Sequence, residues 1–383
     1  MNPAAEFDII VYGATGFTGR LVAEHLAARY GVGGEVKWAM AGRSLDKLQA
    51  VRDEIGAPAD TPLVTADAGD PASVKAMVGR TKAVLTTVGP YQLYGSDLVA
   101  ACAAAGTDYL DLCGEPAWMR KMIDAHEATA KQSGARIVFS CGFDSIPFEL
   151  GAFFLEEAAK AKLGHTVSRL KGRVRNMRGG ASGGTIASLK ATMAALSADP
   201  SLYPLMINPF ALTPGFEGPE QPKGDAPEFD ADIDAHVGPF IMAAINTRNV
   251  HRTNALLGHP WGQDFVYDEM VIVDPNAPPP PAMLGADLKP GEGPSKAERE
   301  AGFFDVLMVG IDKDGAQVRA SVKGDRDPGY GSTSKMISET AICLVKEAPD
   351  VAGGVWTPGA ALGHRLVKRL SEHAGLTFAI EEV

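Results

Sequence analysis

Phe7-Asp8-Ile9-Ile10-Val11-Tyr12-Gly13-Ala14-Thr15-Gly16-Phe17-Thr18-Gly19 decides the fold. Its first six residues read as a buried strand, and beyond the glycines Leu21, Val22, Leu26 and Tyr30 share one helical face that Gly31 ends. Strand, glycine turn and helix make one βα unit. The glycines allow a tight turn and close backbone approach, while the helix start points free N–H groups at an anion. A diphosphate fits that turn, with Gly13, Thr15, Gly16, Phe17 and Gly19 around it. The spacing is G-x-x-G-x-x-G where G-x-G-x-x-G is commoner, so its weight comes from its place between strand and helix. The alternative is a purely structural turn.

The same rhythm continues outward to about residue 150. Strands are expected at 36–41, 62–67, 83–88, 109–112 and 137–140, with helices at 45–55, 72–78, 96–105 and 117–133 between them. Ser44 and Asp70 are natural helix caps, and Pro71 suits a first helical turn. Six strands alternating with helices predict an α/β fold whose N-terminal domain, 1–150, is a doubly wound parallel sheet.

Past residue 150 the pattern changes. Residues 165–177 and 303–323 read as longer, half-exposed strands, the latter a hairpin around Asp314-Gly315. They predict a second, antiparallel or mixed α+β domain over 151–330 for substrate binding or dimerisation. The segment 331–383 offers two helical stretches and a strand at 376–380, expected to return to the first domain. Two stretches rich in proline and glycine, 200–227 and 275–294 with its Pro278-Pro279-Pro280-Pro281 run, read as surface loops or lids.

A chain of 383 residues exceeds one ordinary core, which agrees with about two domains. Hydrophobic residues at 45% and charged residues at 22% are those of a folded, water-soluble protein. With 36 basic against 47 acidic residues the net charge is −11, which disfavours nucleic acid as a partner. No run approaches the roughly 18 apolar residues of a membrane span. No signal peptide is evident, and a cytoplasmic location is the expectation. Peripheral membrane contact and a homodimer stay open. Cys102, Cys113, Cys141 and Cys343 form no C-x-x-C pair and the histidines no H-E-x-x-H, so neither disulfides nor a metal site is expected.

The cofactor is read at the end of the second strand, about 20 residues past the glycines, where an NAD site places a carboxylate on the ribose 2′-hydroxyl. Here stand Gly42-Arg43-Ser44. A guanidinium holds a 2′-phosphate that a carboxylate repels, so Arg43, with Ser44 and Lys47 nearby, predicts NADP(H). Asp67, ending the third strand, is placed to meet the adenine or to shape a turn.

Ligands of doubly wound sheets bind past the carboxyl ends of the strands. Gly89-Pro90-Tyr91, Asp111-Leu112-Cys113-Gly114-Glu115 and Cys141-Gly142-Phe143-Asp144-Ser145-Ile146-Pro147 follow strands four, five and six. Gly89 and Pro90 can bring backbone to the nicotinamide. Tyr91 and Asp144 are the candidate proton donors for a hydride-transfer site. Against those roles, Tyr91 can simply pack on the ring and Asp144 cap the next helix. Cys141, with no histidine near it in sequence, reads as an inert thiol. Gly179-Gly180-Ala181-Ser182-Gly183-Gly184-Thr185 reads as an anion site at a helix start or as a hinge.

These strings, with Ala105-Gly106-Thr107-Asp108-Tyr109-Leu110-Asp111, Gly329-Tyr330-Gly331-Ser332-Thr333 and Thr357-Pro358-Gly359, resemble the saccharopine dehydrogenase-like oxidoreductases. Within that family the resemblance points to the trans-acting enoyl reductases. It implies an NADP-binding Rossmann domain joined to a mixed domain, and reduction of a carbon–carbon double bond in a small-molecule or carrier-bound acyl substrate of lipid synthesis. Imine reduction of the saccharopine type is the alternative, with Arg169, Arg173, Arg175 and Arg178 as a potential carboxylate pocket. A non-catalytic NADP(H)-sensing protein is a third reading.

Overall fold

The computed structural model describes residues 5–277, 288–289 and 291–383. The Pro278-Pro279-Pro280-Pro281 run lies outside the described residues. Seven short, mostly apolar segments form a first sheet: β1 (Phe7–Tyr12), β2 (Trp38–Gly42), β3 (Leu63–Thr65), β4 (Thr81–Thr86), β5 (Asp108–Leu110), β6 (Arg136–Val138) and, far along the chain, Gly354–Trp356. The second sheet is built from β7 (Arg169–Arg178), β8 (Glu228–Asp230), β9 (Ala235–Pro239), β10 (Val266–Ile272), β11 (Phe303–Ile311), β12 (Gln317–Gly324) and Leu376–Glu381. In chain order Gly354–Trp356 is β13 and Leu376–Glu381 is β14.

The first sheet runs β13-β6-β5-β4-β1-β2-β3 and is parallel throughout. Helices Phe17–Tyr30, Leu45–Glu54, Pro71–Val78, Ser96–Ala105 and Pro116–Ser133 cross between its strands. Every residue of β1 is buried, as expected of a strand covered by helices on both faces. The order reverses at β1, between β2 and β4, the position past whose carboxyl ends doubly wound sheets hold their ligands.

The second sheet runs β14-β12-β11-β7-β10-β9-β8. Its β11–β12 hairpin turns at Gly315, φ +83°, and sets Val306 opposite Val322 and Met308 opposite Ala320. The sheet is mixed and not wholly antiparallel, because β7 and β10 pair in parallel. The helix Ile146–Leu163 leaves β6 and lies on this second sheet, with Gly151 close enough that a Cβ would sit 3.0 Å from Val322. Phe148 continues the contact through Phe143 and Phe240, with ring centroids 5.6 and 5.4 Å away.

The last segment corrects the sequence reading. Leu376–Glu381 does not return to the first sheet; it pairs antiparallel with β12, Phe378 facing Val322. The strand that does return is β13, which adds to β6. Three residues carry too little periodicity to announce a strand, and a strand's partner is chosen by long-range packing rather than by its own pattern. Ahead of both in the chain, the helix Thr333–Ile342 packs on Phe17–Tyr30, where Glu339 takes hydrogen bonds from Tyr30 at 2.8 and 2.9 Å and pairs with His25 at 2.8 Å. Among the described residues no helix is long and apolar enough to cross a membrane.

Candidate active site

At the end of β1, Gly13 takes φ +92°, a conformation that favours glycine, and a Cβ on Gly19 would collide with the Gly13 carbonyl. The helix Phe17–Tyr30 therefore starts hard against the strand. Gly16 caps it without a side-chain bond, and among the described residues the N–H groups of Phe17, Thr18 and Gly19 find no acceptor. Unmet donors at the positive end of a helix are what a diphosphate requires.

Thr15 lies against Gly42, where a Cβ would be 3.6 Å from its hydroxyl, so the turn borders the end of β2. There Arg43 is exposed, with no hydrogen bond or ion pair to a described residue. Burial and the Asp67 charge push the Tyr12 hydroxyl up to about 12, opposed by the Arg43 guanidinium. Both charges therefore act on the Tyr12 hydroxyl at the end of β1. Ser44 accepts a bond from Lys47 N at 3.3 Å and caps Leu45–Glu54. Asp67 accepts from Gly69 N at 3.0 Å, which shapes the turn after β3. Phe17 is roofed by the second domain: Tyr330 stands edge-on at 5.1 Å and the Arg299 guanidinium lies 5.6 Å from its ring centre. Sequence reasoning had no signal for Arg299.

Three loops form the crevice. After β4 the Gly89-Pro90 peptide is cis. Tyr91 is buried beside Trp118, its hydroxyl donating to Thr86 O at 3.3 Å and accepting from Leu112 N at 3.1 Å. Burial drives that hydroxyl well above its ordinary pKa. Tyr91 therefore ties the β4 loop to the β5 loop. Glu115 does the same from the other side, accepting from Tyr91 N at 3.0 Å, Gln92 N at 2.8 Å and Ser188 Oγ at 3.1 Å. Asp111 is fully buried and holds Cys113 N, Ser140 N and the Tyr109 hydroxyl at 2.9 to 3.0 Å; burial pushes its carboxyl up to about 7.

Asp144, after β6, differs from both. It makes no hydrogen bond with a described residue, its carboxyl is raised to about 6 by desolvation, and a Cβ on Gly114 would lie 3.8 Å from its Oδ2. Ser145 follows at φ +138°, a strained conformation. The turn is held by a distant part of the chain: Phe143 N donates to Thr333 Oγ1 at 2.9 Å, and Thr333 donates to Pro328 O at 2.8 Å. On the same wall Tyr330 and Thr185 pair hydroxyl to hydroxyl at 2.7 Å. Burial, countered by bonds to Ser182 and Thr185, raises the Tyr330 pKa, and the Asp144 charge adds to the rise. Cys141 is buried, with its thiol pushed well up by desolvation and then by Asp111 and Glu149.

Residues 9–138 match the family model described as the saccharopine dehydrogenase NADP binding domain. A protein of Mycobacterium tuberculosis is 40% identical over 403 residues, covering 95% of each chain. Proteins named trans-acting enoyl reductase from Mycobacterium ulcerans and Mycobacterium bovis are 37% identical, covering 96% and 97% of each chain. This chain belongs to the saccharopine dehydrogenase-like oxidoreductases, in their trans-acting enoyl reductase branch. Saccharopine dehydrogenase (L-Glu forming) from Saccharomyces cerevisiae shares the fold, with a TM-score of 0.59 at 10% identity over 98% of this chain and 100% of that one.

As a member of this family the chain is an NADP-dependent oxidoreductase, and an exposed Arg43 beside a helix start whose N–H groups find no acceptor among the described residues fits that coenzyme. Replacing Arg43 with glutamate is expected to weaken NADPH by about 1–3 kcal/mol, the range of a lost charge-assisted bond, with little change for NADH. Titration of both coenzymes checks this, and equal losses would remove Arg43 from the 2′-phosphate. Three of the four arginines of β7 are already taken up by acids of the same sheet, so they are not free to hold a substrate carboxylate. Arg173 is buried between Asp230 and Asp268 at 2.8 Å each, Arg169 pairs with Asp268, and Arg175 pairs with Asp305 and Glu381 at 2.7 Å each. Other strands of the second sheet, far from β7 in the sequence, supply those acids.

Proposed function

We propose that this chain reduces a carbon–carbon double bond conjugated to the thioester carbonyl of an acyl substrate, with Asp144 delivering a proton. Asp144 carries this reading. It is a carboxyl with no hydrogen-bond partner among the described residues, raised to about 6, after the strand ends where a doubly wound sheet places the nicotinamide. The relatives' names add the enoyl substrate. When bound, the reduced coenzyme supplies the hydride. Asp144 in its protonated form gives its proton to the α-carbon of the substrate. Tyr330 and Thr185 stand on the facing wall, and either hydroxyl, turned toward the thioester carbonyl, donates to the oxygen on which charge develops. Tyr91 and Glu115 act as positioning residues that fix the β4 and β5 loops against each other.

The test is purified protein with NADPH and a panel of α,β-unsaturated thioesters. Loss of reduced-nicotinamide absorbance with formation of the saturated thioester is expected. Turnover only with a keto acid plus an amino acid would replace this reading with imine reduction. NADPH binding without turnover of either panel would favour a sensor.

A further inference from the structure

We infer that the cavity between the helices Pro116–Ser133 and Gly183–Ala198 is the subsite for the hydrocarbon tail of the substrate, an inference that rests on the acyl reading above. The cavity is about 280 Å³ and is walled by Trp118, Met122, Leu196, Leu202 and Met206. Apart from the exposed Lys121, its polar lining groups already have hydrogen-bond partners within the protein. Gln92 donates to Thr192 at 3.2 Å, Trp118 donates to Ser96 at 3.0 Å, and Glu115 is occupied by Tyr91, Gln92 and Ser188. A polar ligand would lose water there for little return, whereas a hydrocarbon loses nothing.

The helix Gly183–Ala198 connects this cavity to the crevice. Thr185, Ser188, Thr192 and Leu196 follow helical spacing along one face. Thr185 touches Tyr330, Ser188 touches Glu115, Thr192 touches Gln92, and Leu196 lines the cavity. The face runs roughly 16 Å, at about 1.5 Å per residue, from hydroxyls suited to a thioester carbonyl to aliphatic side chains suited to a tail. Leu93, Met193, Tyr203 and Ile207, each next in the chain to a lining residue, are exposed apolar side chains on the segments that build the cavity.

Filling the cavity with Ala195→Trp tests the assignment in the full chain. The ratio of kcat/KM for a dodecenoyl over a crotonyl thioester is expected to fall at least about tenfold, and to rise in Met206→Ala, which widens the cavity. An unchanged ratio in both variants overturns the subsite while leaving the enoyl reading intact. If the wild type reduces neither thioester, the enoyl reading falls, and binding decides the subsite separately. Saturation binding of dodecanoyl thioester to the wild type, lost in Ala195→Trp with NADPH affinity retained, supports it; no such binding overturns it.

Discussion

Replacing Asp144 with asparagine is expected to lower kcat by about 10²–10⁴-fold, the contribution of a positioned proton donor, with NADPH affinity held within a few-fold. The amide keeps the shape of the side chain and removes the proton. The pH profile supplies a second signature. Desolvation raises the Asp144 carboxyl to about 6, and a donor works in its protonated form. The wild-type rate is therefore full below that value and falls as pH rises through it. In Asp144→Asn the residual rate should lose that limb. Steady-state kinetics across pH 5–8 check both points; a variant with unaltered kcat, or with the limb retained, would pass the donor role to Tyr330 or Thr185.

Replacing Arg136 with methionine is expected to cost about 3–5 kcal/mol of stability, because it strands the Asp108 carboxylate in the core. Arg136 and Asp108 are both buried, on adjacent strands β6 and β5. Asp108 accepts from both the backbone and the Nε of Arg136 at 3.0 Å, and Arg136 also donates to Ala348 O at 2.6 Å. Removing both charges together, Asp108→Leu with Arg136→Met, should recover most of the loss, since the unpaired ion and not the missing pair is the main cost. Denaturant titrations of the two variants separate these cases, and equal destabilisation would refute the account. The site feels the same change, because the 111–115 and 141–145 loops begin where these strands end.

The first sheet was legible because strands buried on both faces leave continuous apolar runs, and the intervening helices carry their own period. Helix Ser96–Ala105 falls where its pattern put it, and the Asp314-Gly315 hairpin holds the register its alternation implied. What the pattern missed is pairing: β13 joining the first sheet, β14 the second, and β7 running parallel to β10. The arginines of β7 failed as a site signal for the same reason, since their acids arrive on other strands.

By itself the amino-acid order determined the glycine turn at 13–19, the exposed Arg43 and the doubly wound sheet that brings them together. Each depends on backbone conformation and burial, which neighbours within a few residues dictate. Only the folded chain decided which of three acids after the strand ends stays free. Asp111 and Glu115 are held by backbone and hydroxyl donors, some as far along the chain as Ser188, while Asp144 has no hydrogen-bond partner among the described residues and sits on a strained turn that Thr333 pins from 190 residues away. Hydrogen-bond partners are set by contacts between distant segments, and those contacts exist only once both sheets have packed.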